Sequence, residues 1–138
     1  HTSTSIGLAL GLAKSRDLNN EHFNVISLIG DGSLSGGVAF EALSNASLLE
    51  SNFIVIINDN EMSIAENHGN IYSILEKLRN NKTYRESDNN VFVQLGYEYD
   101  YIENVKFNTD NGLSSLKKLM WSSIEKYAKT RYSSEQKD

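Results

Sequence analysis

The sequence predicts an α/β fold built on a parallel sheet, and three stretches carry that reading. Asn24–Ile29 (NVISLI) is a short β-branched run that stops at Gly30, a strand signal. Residues 36–50 place Val38, Ala42, Leu43, Ala46 and Leu49 near helical spacing. Phe53–Ile57 (FIVII) is an unbroken apolar run, the pattern of a strand buried on both faces. Strand, helix and strand within about 35 residues make a βαβ crossover, whose two strands run parallel.

The remaining elements follow in chain order. Residues 4–16 (TSIGLALGLAKSR) are apolar on most sides, with Thr and Ser in front as caps, and predict a buried helix. Gly7 and Gly11 share one face of it and predict close packing against a strand or another helix. A polar loop is expected over Asp17–His22. After Asn60 the chain turns polar until Ile71–Arg79, where Ile71, Ile74, Leu75 and Leu78 line one side of a helix. Residues 80–90 (NNKTYRESDNN) read as an exposed loop. Val91–Leu95 predicts a short helix and Tyr97–Ile102 a further strand. Leu113–Lys129 predicts an amphipathic helix on Leu113, Leu116, Leu119, Met120 and Ile124, and a polar tail begins near Tyr132. The expected organisation is one domain over 1–131 and a tail over 132–138.

Composition narrows the classes. A chain of 138 residues with 39% hydrophobic and 22% charged residues suits one globular domain. A net charge of −5 argues against nucleic acid as a partner, because phosphate recognition needs a clustered basic surface. Lys117, Lys118, Lys126 and Lys129 are diluted by Glu125 and read as a solvated helix face. With no cysteine, disulfides and thiolate metal sites are excluded. No run approaches the length of a membrane span and no secretory pattern opens the chain, so a cytoplasmic protein is expected. The sequons at Asn45 and Asn81 then read as chance matches. The chain opens on His1 without a methionine, as expected of a segment of something longer. It also lacks proline, where average usage would give roughly seven.

The crossover makes chemistry possible at one place. Loops that follow parallel strands open on the same sheet edge, where α/β proteins receive ligands. Asp31 follows the first strand, and Asn60 follows the second about 29 residues later. A carboxylate and an amide oxygen are hard ligands of the kind Mg²⁺ takes, with waters and substrate phosphates completing its shell. Gly30 and Gly32 would let backbone N–H groups approach an anion closely. Gly-Asp-Gly alone is also an ordinary turn. GDGSLSG lacks the spacing of a dinucleotide fingerprint, and no P-loop Lys-Ser or Lys-Thr is present. His22 and His68 lie in polar stretches and read as surface residues.

The whole pattern is more specific than its parts. Gly-Asp-Gly, a helix, a strand and then Asn60 resembles the thiamine-diphosphate motif of transketolase-like enzymes. Three strings narrow it: His1-Thr-Ser-Thr-Ser-Ile, Gly37-Val-Ala-Phe-Glu-Ala-Leu and Ile57-Asn-Asp-Asn-Glu-Met-Ser-Ile. Together they are similar to the 1-deoxy-D-xylulose-5-phosphate synthases over about residues 1–75.

The resemblance implies a three-layer open parallel sheet flanked by helices, the thiamine-diphosphate-binding fold. It implies that Asp31 and the Asn60 side chain ligate Mg²⁺, with the Met62 carbonyl as a third protein ligand. Gly32 and Ser33 would contact the diphosphate, and His1 and Thr2 would line the cofactor. Enzymes of that family are transferases that use thiamine diphosphate to join pyruvate to glyceraldehyde 3-phosphate with loss of CO₂, for isoprenoid and thiamine precursors. They assemble the site between two kinds of domain in a homodimer. The activating glutamate comes from a domain outside residues 1–138, so these residues alone are expected to be inactive.

The sequence also departs from the family pattern. About ten polar residues stand after Arg79 in place of a long insertion. Glu103-Asn-Val-Lys-Phe-Asn-Thr-Asp-Asn replaces a Pro-Val-Asp-Gly-His-Asp-like string, and a Lys-Gly-x-Gly-Tyr segment is absent. These departures motivate an alternative: a non-catalytic or split-subunit domain that keeps the fold and acts by pairing with another chain.

Overall fold

A computed structural model of the chain describes residues 2–49, 51–59, 69–102 and 118. His1, Asn60 and Met62 lie outside them, as do the polar tail and all of the expected 113–129 helix except Lys118, which is helical. The chain divides into two compact units, His1–Tyr99 and Asp100–Asp138. The architecture below belongs to the first.

The element order is α1 (Ser5–Leu18), β1 (Ile26–Gly30), α2 (Asp31–Leu34), α3 (Gly37–Leu48), β2 (Ile54–Asn58), α4 (Asn70–Asn80), α5 (Lys82–Arg85) and α6 (Val91–Gln94). β1 and β2 pair in parallel, with Ile26 opposite Ile54 and Gly30 opposite Asn58. The crossover read from the sequence is therefore present, with α2 and α3 as its connection. Among the described residues the sheet has these two strands.

Alternation along β1 decides where the core sits. Ile29 is 3% exposed while its neighbour Leu28 is 63% exposed. Ser27 and Ile29 face the helices with Val55 and Ile57, their register partners, because paired residues of a parallel ladder point to the same side. Ile6, Leu34, Ala39, Ala42, Leu43, Ile71, Leu75, Leu78 and Phe92 complete that core. A second cluster joins Ala9 and Ala13 of α1 to Val25 and Phe53. The expectation of a strand buried on both faces is corrected: β2 is half-buried along its whole length. Its unbroken apolar run reflects one covered face and one that no described residue fully covers.

Helix α1 also differs from the all-round buried helix expected. Ile6, Ala9 and Ala13 face inward, whereas Leu8 and Leu12 are exposed. At Gly7 a Cβ would lie 3.8 Å from the Ala42 Cβ of α3, an ordinary van der Waals contact, so the helices meet there without requiring glycine. Gly11 has nothing comparable within 4 Å. The helix runs on to Leu18 because Arg16 turns inward. Its Nη1 donates to the Phe23 carbonyl at 2.9 Å, its Nε donates to Asp17 Oδ1, and its guanidinium lies over the Phe23 ring. The last turn is thereby tied to the segment entering β1.

Two further expectations need correction. The loop over 80–90 contains helix α5, started by the Asn81 side chain, which accepts from the Tyr84 N–H at 2.9 Å. Its end is not exposed either: Asn90 is 0% exposed and caps α6 by accepting from Phe92 N–H. No strand forms over Tyr97–Ile102. The period-two pattern is real there, with Tyr97 and Tyr99 half-buried and Glu98 exposed. Those rings pack on the core, where Tyr99 stacks on Phe92 at 5.7 Å between centroids, and the segment has no ladder partner among the described residues.

Candidate functional site

The register brings the two strands to a common carboxyl edge. Gly30 and Asn58 are the last paired residues, so Asp31 and Asp59 are the first to leave the sheet, side by side in order. The placement expected for Asp31 is therefore found, although its setting is a short helical turn, α2, where a loop was expected. Ser35 Oγ donates to the Gly32 carbonyl at 2.8 Å and the Gly36 N–H donates to the Ser33 carbonyl, which closes the turn.

Asp31 is 5% exposed, and its side chain has no hydrogen bond or ion pair among the described residues. Neither of its oxygens is among the buried polar atoms that lack a partner, so the carboxylate keeps some access to solvent or to a ligand. The flanking glycines are bare for no internal reason. A Cβ at Gly30 or Gly32 would meet no described residue within 4 Å, and neither backbone needs a positive φ.

The amino-terminal segment reaches the same turn. Ser3 Oγ donates to the Ser33 carbonyl at 2.6 Å, which sets the exposed Thr2 next to a residue clamped on Ser33. Of the residues read as a site, the structure thus gathers Thr2, Asp31, Gly32 and Ser33 at one end of the sheet. At the end of β2, Asp59 is engaged by the Arg79 guanidinium of α4. Neither Arg79 nor Asp59 stood out in the sequence, where a lone arginine on a helix reads as surface. The two sequon asparagines have internal partners: Asn45 donates to the Glu41 carbonyl, and Asn81 caps α5.

Among the described residues there is no group of three or more His, Cys, Asp or Glu side chains that could hold a metal ion. A site made of one carboxylate, one amide and one backbone carbonyl would not form such a group. Also among the described residues, no helix is long and apolar enough to cross a membrane.

Fold and edge together define an α/β domain with a small parallel sheet whose strands end at one common edge. A family model described as 1-deoxy-D-xylulose-5-phosphate synthase matches residues 1–129, and the chain belongs to that family. The match runs past residue 75, so it takes in most of the stretch whose strings depart from the pattern.

Curated relatives agree. The chain is 52% identical over 84 residues to "1-deoxy-D-xylulose-5-phosphate synthase" of Lachnoclostridium phytofermentans, covering 61% of this chain and 13% of the relative. It is 47% identical over 113 residues to the protein of the same name from Caldanaerobacter subterraneus subsp. tengcongensis, covering 77% and 18%. With the Listeria monocytogenes protein of that name it shares 46% over 103 residues, covering 72% and 17%. The chain spans less than a fifth of the length of these relatives.

Proposed function

We propose that this chain is the cofactor-anchoring part of a thiamine-diphosphate-dependent 1-deoxy-D-xylulose-5-phosphate synthase. In this reading Asp31, the Asn60 side chain and the Met62 carbonyl hold Mg²⁺, Gly32 and Ser33 receive the diphosphate, and His1 and Thr2 line the cofactor.

The observation that carries the proposal is Asp31 at the carboxyl edge of the sheet, a residue 5% exposed whose side chain has no protein partner among the described residues. A divalent cation would supply the missing charge, and Mg²⁺ bound through one or two protein groups with phosphate oxygens suits the donor set. The uncovered backbone at Gly30 and Gly32 supports an anion arriving beside it. Ser33 is already held through its carbonyl by Ser3, so its N–H and hydroxyl would be presented from a fixed backbone. Thiamine diphosphate, when bound, supplies the carbanion chemistry that side chains cannot. The protein's part is to anchor and orient, and to keep the diphosphate end fixed while reaction occurs elsewhere on the cofactor.

The complete protein would condense pyruvate with glyceraldehyde 3-phosphate, releasing CO₂, as a cytoplasmic homodimer with the three-layer thiamine-diphosphate-binding fold. Calorimetric titration with thiamine diphosphate and Mg²⁺ tests the anchoring. Asp31→Ala should abolish Mg²⁺-dependent binding while the far-ultraviolet circular dichroism is kept, and binding equal to that of the parent would sink the reading. Residues 1–138 alone should show no synthase turnover.

A further inference from the structure

Resting on that reading, we propose that Arg79 is a positioning residue for the metal end of the site. By holding Asp59, it keeps this second carboxylate out of the metal's shell. The two acids leave the sheet together, yet their surroundings differ. Asp31 has no partner among the described residues, whereas Asp59 Oδ2 is held by Arg79, which lies 20 residues further along the chain. Mg²⁺ demands near-ideal octahedral geometry, so a loose carboxylate beside the intended ligands would compete for it. An arginine already on that carboxylate removes the competition and leaves the cation to Asp31 and its neighbours.

The guanidinium acts from a fixed base. Leu75 and Leu78 bury the inner face of α4. The carbonyls of Leu78 and Arg79 accept from Arg85 Nη1 at 2.9 and 3.1 Å. The Arg85 carbonyl in turn accepts from Asn90 Nδ2 at 3.0 Å, and Asn90 is wholly buried. A chain of contacts thus runs from Asn90 through Arg85 and Arg79 to the residue just before Asn60. Both members of the pair are largely shielded, at 24% and 16% side-chain exposure for Arg79 and Asp59. Asp59 Oδ1 is buried with no hydrogen-bond partner among the described residues, which leaves one acceptor for a donor of the bound state, such as a metal-bound water.

A plain structural fastener between α4 and β2 would make a different prediction from a positioning residue. It would lower the melting temperature on loss of the pair and leave the metal dependence unmoved. The experiment titrates Mg²⁺ into the protein carrying this chain at saturating thiamine diphosphate, reading the Mg²⁺ half-saturation by calorimetry and the melting temperature without Mg²⁺. Arg79→Ala should raise the half-saturation about 10- to 100-fold, the usual effect of removing an outer-shell partner. Arg79→Lys should recover part of it. Half-saturation unchanged in Arg79→Ala overturns the proposal. Should Arg79→Ala fail to fold, Arg79→Gln decides: it keeps a long polar side chain on α4 but leaves the Asp59 carboxylate uncompensated, and parent-like Mg²⁺ dependence in it overturns the proposal equally. Asp31→Ala separates the two levels. If it binds like the parent, the cofactor reading itself fails; if only the Arg79 variants do, the positioning role alone fails.

Discussion

Ser3 donates its hydroxyl to the backbone carbonyl of Ser33 at 2.6 Å, joining the start of the chain to the turn that carries Asp31. Ser3 holds a positive φ of 69° to do so, a conformation uncommon for a residue other than glycine. Its side chain also occupies the space where Gly36 has none. A Cβ on Gly36 would fall 2.0 Å from Ser3 Oγ and 2.7 Å from Ser3 Cβ.

That contact gives the first prediction. Gly36→Ala should destabilise the protein by about 1–3 kcal/mol through overpacking, seen as a lower urea midpoint. Ser3→Gly in the same chain should return a good part of the loss, since it removes both clashing atoms and suits the positive φ. Additive losses in the double variant would contradict the contact.

A second prediction concerns Asn90. Its amide donates to the Arg85 carbonyl and accepts from the Phe92 N–H, both at 3.0 Å, with no exposure to water. Asn90→Ala should cost about 1–3 kcal/mol, because it strands a buried donor and removes a helix cap. A urea midpoint within error of the parent would refute it.

The sheet offers an internal comparison between adjacent residues. Ile29→Ala should cost about 2–5 kcal/mol, as expected for a large-to-small change in a packed core. Leu28→Ala, on the open face, should change the stability of residues 1–138 by no more than about 0.5 kcal/mol. Equal losses at the two positions would mean that the strand faces are assigned the wrong way round.

Tyr97 sets a pH dependence. Burial pushes its hydroxyl up to about 12 from the usual 10. The O–H donates to the Leu43 carbonyl at 2.8 Å, which holds the protonated form in place. An unfolded chain ionises this tyrosine first, so its contribution is complete below about pH 10 and drains away as pH rises towards about 12. Comparing urea midpoints at about pH 9 and about pH 11.5, the parent should lose more stability than Tyr97→Phe. At the lower pH that variant should be weaker by about 0.5–1.5 kcal/mol for the lost hydrogen bond.

The strands, the long helices and the shared edge were legible because burial writes a period into local sequence: Ile71, Leu75 and Leu78 recur at helical spacing and all three are buried. Misreadings fall where polar residues do internal work. NNKTYRESDNN looks like a solvated loop, yet Asn81 and Asn90 cap helices and Arg85 holds the end of α4. Asparagine marks a cap as often as a turn, and only the position of the following N–H groups tells them apart. Tyr97 and Tyr99 alternate as a strand would, but hydrogen bonding to a neighbouring strand is a property of the partner and not of the segment.

Sequence alone determined the crossover, the common edge at which its two strands end, and the family through its strings. These depend on residues close in the chain or on a spacing that one helix bridges. Tertiary structure alone decided that Asp31 is buried without a described partner, that Ser3 packs onto Gly36, and that Arg79 takes Asp59. Each of these joins residues through space, where charge and volume must balance, and no local pattern in the chain records that balance.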